Sequence, residues 1–479
     1  MPASSYRKNS DVELLGRYNR PGPRCTSYPT APQLTSGFGE AQLRAAVLAS
    51  NGDPIPRRLS LYVHVPFCLS PRFYCGFQDI TTRDLARAET YVAGLYREID
   101  LIAALLDRDR EVIQLHFGDS TLNFLAPAQL REVVTTLRLQ FRFSENRERD
   151  ISIELDPRCI RATEVRELAS IGFNRASLGV QDFDPQVQAA VNRIQSVSQT
   201  REVIEACRDS GFRSVNVDLI YGLPKQTAEG FSRTLDTVVG LRPERIAVYS
   251  YAHLPAMFKA QKPVEAADLP TPEAKLGLLQ LAITQLSAAG YCYIGMDHFA
   301  LPDDELAQAQ ARGGLQRNFM GYTTHADSDL IGLGVGAISR IGDSFSQNPR
   351  DLKAWQAALD AGHLPVFRGT RLSQDDQIRA DLIEQLMCQA EILIAAFELR
   401  YSICFASYFV DALARLQPLV NDGLVLIEAE RIQVTARGRL LLRNIAMCFD
   451  RYLDQPVISA PQFSRCVPGL VAKLRPHGP

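Results

Sequence analysis

Short apolar runs recur along the middle of the chain, separated by longer stretches whose apolar residues return every three to four positions. Between about 59 and 300 the runs are LSLYVHV (59–65), VIQLHF (112–117), ISIEL (151–155), ASLGV (176–180), SVNVDLI (214–220) and RIAVYSY (245–251). They are rich in the β-branched and aromatic residues that suit strands. The stretches between them, among them 85–106, 162–172 and 198–211, carry the period of an amphipathic helix. Strand–helix alternation of this kind predicts right-handed βαβ units and an α/β fold with a parallel sheet, open or closed into a barrel. Chemistry is then expected on the loops that follow the strands. Polar residues gather there: a loop holding Cys68 and Cys75, then GDST (118–121), ELDPR (154–158), GVQDF (179–183), DLIYGLPKQT (218–227) and YSYAHLP (249–255).

The texture changes at both ends. Residues 1–45 are polar and broken by Pro21, Pro23, Pro29 and Pro32, which reads as an arm lying over a domain. From about 375 two helical stretches (375–390 and 405–425) precede an apolar ladder, LVLIEAERIQVTARG (424–438). Helix–helix–hairpin predicts a small, winged-helix-like C-terminal domain. GLGVG (332–336) lacks the spacing and setting of a dinucleotide fingerprint and reads as a tight turn.

Composition narrows the classes. With 479 residues, 46% hydrophobic and 22% charged, the chain can bury a large core in more than one domain. A net charge of −2 gives no footprint for nucleic acid or an anionic membrane surface. No apolar run approaches the ~20 residues of a membrane span, and the first residues lack a signal-peptide core, so a cytoplasmic protein is expected. Ten cysteines in a large cytosolic chain are not expected to form a disulfide framework. Only Cys68 and Cys75 sit close together, with Arg72 between them, and two thiolates alone do not hold an iron–sulfur cluster or a closed zinc site. His64, His116, His253 and His298 fit core or supporting histidines better than catalytic ones.

Several long strings now carry a resemblance: RPGPRCTSYPTA (20–31), LYVHVPFC (61–68), SIELDPR (152–158), GFNRASLGVQDF (172–183), NVDLIYGLPKQT (216–227) and YAHLPAMFKAQ (251–261). GMDHFALPDDELA (295–307), NFMGYTTHADSDLIGLGVGAIS (318–339) and QVTARGRLLLRNIAMCFD (433–450) continue it. In this order, over nearly the whole chain, they resemble the oxygen-independent coproporphyrinogen III oxidases of the radical SAM superfamily. That resemblance implies a partial (β/α) barrel at 46–370 behind an N-terminal arm (1–45), with a C-terminal helical, winged-helix-like cap at 371–479. It implies a [4Fe–4S] cluster on a C-x3-C-x2-C loop and S-adenosylmethionine (SAM) chelated to its open iron, giving a radical that turns two substrate propionates into vinyls. The implied partners are coproporphyrinogen III and a reduced flavodoxin- or ferredoxin-like electron donor. A monomer is implied, with no nucleic-acid or membrane partner.

Carried over position by position, Cys68 and Cys75 match cluster ligands. Tyr62, Tyr74, Glu154, Gln181, Arg193, Asp218, Ala252 and Ile338 match SAM contacts, as do Asp119, Ser120 and Thr121 by place. Two loops depart from the family pattern. Arg72 stands where the middle cluster cysteine belongs and Phe77 where a further cysteine is usual. GDSTL (118–122, ending at Leu122) replaces a glycine-rich GGGTP. A guanidinium cannot ligate iron, and Asp119 sets bulk and charge toward the methionine carboxylate. Two functions therefore stand open: an oxidase of haem synthesis, or a non-catalytic descendant that binds a tetrapyrrole or SAM.

Overall fold

The computed structural model describes residues 17–18, 27–69, 71–75, 80–82, 84–118, 124–146, 148–325 and 327–453. Six strands follow one another in sheet order as in sequence: β1 (Arg58–His64), β2 (Glu111–Gly118), β3 (Asp150–Leu155), β4 (Arg175–Gln181), β5 (Ser214–Tyr221) and β6 (Arg245–Ser250). All neighbours in this series pair in parallel. Each apolar run found in the sequence is one of these strands, within a residue or two.

On one edge β6 meets an antiparallel hairpin of β7 (Cys292–Gly295) and β8 (His298–Ala300). On the other, β1 pairs in parallel with a strand that arrives late in the chain, β9 (Ser328–Leu333). Beyond it runs an antiparallel meander, β10 (Ile338–Ile341), β11 (Ser344–Gln347) and β12 (Arg368–Arg371). The sheet therefore ends in two edges instead of closing, which makes it a partial barrel.

The period of two along each strand assigns the faces. Leu59, Leu61 and Val63 of β1, Leu115 and Phe117 of β2, Ile151 and Ile153 of β3 and Val215 and Val217 of β5 are buried in the main core. Helices Ala86–Ala103, Pro127–Gln140, Ala162–Ile171, Val197–Asp209 and Ala228–Leu241 cross between the strands and bury their apolar stripes in that same core. The alternate residues, Gln114 and His116, Ser152 and Glu154, Asn216 and Asp218, face a cavity on the concave side. A parallel sheet buried on both faces would read as unbroken apolar runs. Here the polar alternation marks a site.

The C-terminal residues form a second core around Ile378, Leu382, Leu386, Phe397, Phe409, Leu416, Ile432 and Phe449. Its three-stranded sheet (Glu391–Leu393, Val425–Ile427, Arg431–Val434) has one strand more than the expected hairpin. Tyr28 inserts into this core, its hydroxyl accepting from Arg451 N at 3.1 Å, and Asn444 Nδ2 donates to Tyr18 O at 2.7 Å. Helix Glu40–Asn51 runs through residue 45 and buries Leu43 and Val47 against the main sheet. We therefore end the arm before Glu40 instead of at 45.

The GLGVG turn packs against β1. Gly334 has φ +97°, and a Cβ there would lie 2.3 Å from Tyr91 Oη and 2.6 Å from His64 O, so glycine is required. The turn is tied down by a buried carboxylate, Glu98, which accepts from Gly334 N (2.8 Å), Asn348 Nδ2 (2.6 Å) and Trp355 Nε1 (3.0 Å). Burial outweighs these three donors and raises the Glu98 carboxyl from 4.5 to about 7. The folded state then holds a proton that the unfolded chain has released, so folding loses stability as pH rises from about 4.5 to about 7. Glu98→Gln should remove this slope. Urea unfolding of both proteins across that window should show the parent losing stability relative to the variant as pH rises; parallel curves would rule out a proton on Glu98.

Candidate functional site

The upper rim of the concave face, at the C-terminal ends of the parallel strands, gathers most of the expected ligand-contacting residues. His116 stacks on Tyr62 (ring centroids 5.8 Å apart), and its Nδ1 is 2.7 Å from Ser152 Oγ. Its Nε2 is 3.4 Å from Glu154 Oε1. Across from Glu154, Asp218 accepts from Asn216 Nδ2 (2.7 Å) and Ser177 Oγ (3.0 Å). Withdrawal from water, and then the Glu154 charge, push the Asp218 carboxyl up to about 7, against the pull of those donors. Tyr62 pairs with Gly332, whose Cα hydrogens lie directly against the Ile338 backbone. This sets Tyr62 and Ile338 on one face, either side of Gly332 on the strand between them.

Gln181 closes β4 in the left-handed region (φ 72°), a conformation that costs a non-glycine residue on the order of 1–3 kcal/mol. Its Oε1 is buried and has no hydrogen-bond partner among the described residues. Arg193 is buried beside it, but its guanidinium is already engaged. It donates to Asp156 Oδ2 (3.0 Å), to Tyr74 Oη (3.2 Å) and to Gly179 O. Burial alone would raise the Asp156 carboxyl; Arg193 and Arg158 outweigh it and hold Asp156 at about 2. Nothing local in the ELDPR string (154–158) distinguishes Asp156 as the partner of Arg193. Tyr74 packs against an apolar patch of Val187, Val191, Ile220, Leu223 and Tyr251. Ala252 O shares Gln261 Nε2 with Cys75 O, at 3.1 and 3.3 Å.

Below the rim the cavity holds about 960 Å³ of non-atom space, its open mouth included. Its floor is ionic and internally paired: Arg175 with Asp150 and Glu305, Arg245 with Asp304 and Glu305. His298 faces the cavity between Tyr249 and Tyr322, with both rings edge-on (5.8 and 5.4 Å). Burial, with Arg317 and Arg245 nearby, lowers its pKa to about 3 and keeps it neutral. A hairpin (Gln316–Asn318 with Gly321–Thr323) covers one side and is held by the C-terminal helix Gln374–Gln389. Arg317 N donates to Glu384 Oε1 (3.0 Å) and Tyr322 Oη to Met387 O (3.0 Å).

The loop after β1 carries Cys68 and Cys75, both buried. Cys68 Sγ is 3.5 Å from Thr81 Oγ1, and Arg72 Nη2 points at Cys75 Sγ from 3.9 Å. Among the described residues no three Cys, His, Asp or Glu side chains group as metal ligands. Two thiols with a guanidinium directed at one of them do not fit a cluster held by three thiolates. Asp119, Ser120, Thr121, Leu122 and Phe77 lie outside the described residues. The rim does fit a SAM-like ligand. Gln181 Oε1 awaits a donor, Glu154 and Asp218 can accept from a diol, and Gly118 leaves a space that a Cβ would close to 2.6 Å from His116 Nε2.

Residues 62–238 match the family model of the radical SAM superfamily, and 372–441 match the HemN C-terminal domain. The oxygen-independent coproporphyrinogen III oxidase of Pseudomonas aeruginosa is 48% identical over 95% of this chain and 98% of that protein. The proteins of the same name from Escherichia coli and Synechocystis are 47% and 43% identical over the same shares. This chain belongs to the oxygen-independent coproporphyrinogen III oxidase family. The solved structure of the Escherichia coli enzyme HemN, described as a radical SAM enzyme, superposes with a TM-score of 0.86 over 89% of this chain and 97% of that one, at 47% identity. The expected radical SAM α/β fold is therefore the observed one. Radical SAM enzymes of this family bind a [4Fe–4S] cluster and SAM.

The coupling of the two rim carboxyls is testable. Glu154→Gln removes the charge that helps hold the proton on Asp218, so Asp218 should titrate below its parent value of about 7, while burial keeps it above 3.8. Carboxyl infrared or carbon-13 titration of the two proteins reads this directly. An unchanged Asp218 midpoint would show that the two groups do not interact.

Proposed function

We propose that the protein is an oxygen-independent coproporphyrinogen III oxidase of haem synthesis, converting two propionates of coproporphyrinogen III to vinyls to give protoporphyrinogen IX. Near-full-length similarity, at 47–48% identity, to proteins of that name carries the reading. Each propionate must lose CO2, one hydrogen atom and one electron; SAM cleaved at its cluster would supply the radical that takes the hydrogen atom, and the electron would pass to a separate one-electron acceptor. The chain's own residues hold and orient. Glu154 and Asp218 accept from the ribose diol, Gln181 Oε1 takes a donor, Tyr74 flanks the adenine, and Tyr62, Ala252 and Ile338 complete the SAM surface. Arg193 acts by fixing Tyr74 and Asp156 in place, since its charge is already met by Asp156. By their place in the sequence, Asp119, Ser120 and Thr121 belong to the loop that this family sets at the methionine end. The protein works as a cytoplasmic monomer with a reduced flavodoxin- or ferredoxin-like donor. The reducing compartment suits its eight described cysteines, all free thiols.

One observation favours a second reading. The Arg72 guanidinium on Cys75 Sγ leaves Cys68 and Cys75 as the only thiolates assigned to the cluster, which fits a descendant that binds tetrapyrrole or SAM without turnover. Anaerobic reconstitution separates the two. The parent should hold substoichiometric, labile iron and sulfide, and Arg72→Cys should restore a full cluster with its broad visible absorption. Release of 5′-deoxyadenosine should stay low until Asp119→Gly opens the methionine pocket as well, so the two changes should be strongly non-additive. A parent that already binds four irons per chain and cleaves SAM would overturn the ligand count. A double variant with a full cluster and no cleavage would establish the binding protein instead.

A further inference from the structure

A second cleft lies on the same row of residues as the cavity already described, farther along the concave face. Gln114, which lines it, pairs across the sheet with Ser60, Ser60 with Leu330, Leu330 with Arg340, and Arg340 with Phe345. Residues paired across adjacent strands share a face, so this row runs unbroken along the concave side from β2 to β11. At its far end Leu330, Arg340 and Phe345 form the floor of that cleft. Arg317 of the covering hairpin closes it on one side and Glu384 of the C-terminal helix on another.

The arginines along this face differ in one respect. Arg175, Arg245 and Arg193 each meet a carboxylate of the protein. Arg317 and Arg340 form no ion pair with any described residue. Arg317 Nε and Nη1 and Arg340 Nε are buried without hydrogen-bond partners among the described residues. The Arg317 guanidinium carbon lies over the Tyr322 ring at 4.9 Å and that of Arg340 over Phe345 at 5.8 Å, so each cation sits against an aromatic face. The acid in the cleft, Glu384, has its Oε1 taken by Arg317 N. Glu384 attracts Arg340 by charge, with Asp329 and Asp381 as further acids, but pairs with neither guanidinium, so two cations share one adjacent carboxyl.

We propose that Arg317 and Arg340 form a subsite for a ligand carboxylate in the second cleft, beyond the paired arginines of the main cavity. Resting on the functional reading above, the carboxylate belongs to a propionate of the tetrapyrrole, whose macrocycle lies along the row; the methionine carboxylate of a SAM molecule has the same chemistry. Unpartnered buried guanidinium N–H groups are costly alone and strong when a carboxylate joins them.

Binding of coproporphyrin III, its tetramethyl ester and SAM to the parent, Arg317→Gln and Arg340→Gln tests this, with circular dichroism to verify folding. Each variant should bind coproporphyrin III roughly ten- to hundredfold more weakly. Both should bind the ester as weakly as the parent does, and Arg340→Lys should recover part of the loss. Weakening confined to SAM would keep the carboxylate subsite but assign it to methionine. Variants that bind both ligands like the parent, or a loss equal for acid and ester, would overturn the subsite alone. A parent that binds neither coproporphyrin III nor SAM would overturn the functional reading, and the subsite with it.

Discussion

Asp329 is fully buried at the start of β9, where a carboxylate needs partners on every side. It receives Arg110 Nη2 at 2.7 Å, the Ser50 hydroxyl, and Gly342 N at 3.0 Å. Arg110, just before β2, is buried too, and it also donates to Arg57 O and Asn51 Oδ1. One ion pair thus joins the end of the first helix, the approaches to β1 and β2, the late strand β9 and the turn after β10. Removing one member of a buried, hydrogen-bonded pair costs about 3–5 kcal/mol, a large part of a domain's stability. What depends on it is register. With Leu59 opposite Asp329, Tyr62 falls opposite Gly332 and Ser60 opposite Leu330. That register sets Ile338 across Gly332 from Tyr62 and carries the row on to Arg340.

The distribution of charge along that face follows one rule. Where the sheet is deepest, each arginine has its own acid, so the floor is polar but neutral. Desolvating Arg175 or Arg245 is offset by Asp150, Asp304 and Glu305, supplied from other elements. Toward the rim the balance tips to excess acid, with Glu154 and Asp218 sharing a site and Asp218 holding its proton to about 7. Toward the far cleft it tips to excess base. A flexible apolar molecule with carboxylates at its edge and a cofactor with a diol would find opposite complements at the two ends, without a net charge on the protein large enough to show in its composition.

This explains what could be read from the sequence and what could not. The six central strands and the helices between them were legible because a period of two beside a period of 3.6 leaves few alternatives. The loop residues of the rim were legible because every βα unit delivers its loop to the same side. Arg175 shows the limit. It opens β4 next to a polar asparagine, as a solvent-facing residue would, yet it is 7% exposed, because Asp150 and Glu305 meet it from 25 residues upstream and from a helix far downstream. Long-range neutralisation leaves no local pattern. Asp156, Glu98, Arg317 and Arg340 were hidden for the same reason: each owes its role to partners, or to their lack, on other elements. The meander β10–β12 also escaped, because short antiparallel strands near turns carry too few alternations to count.

The cluster loop shows how place and chemistry come apart. Its described residues are positioned by protein contacts: Pro71 O accepts from Asn192 Nδ2 at 3.0 Å, Phe73 N donates to Val191 O at 3.3 Å, and Cys75 O accepts from Gln261 Nε2 at 3.3 Å. On its other side Ile80 N donates to Pro66 O and Thr82 N to Cys68 O, at 2.7 and 3.0 Å. At roughly 1 kcal/mol apiece, these bonds anchor the loop to the segments after β4 and β6 with no metal ion in the account. A small zinc domain differs, because there metal binding is itself the folding energy. None of these bonds uses the Arg72 side chain, so a change at position 72 is expected to alter what the loop can bind more than where it sits.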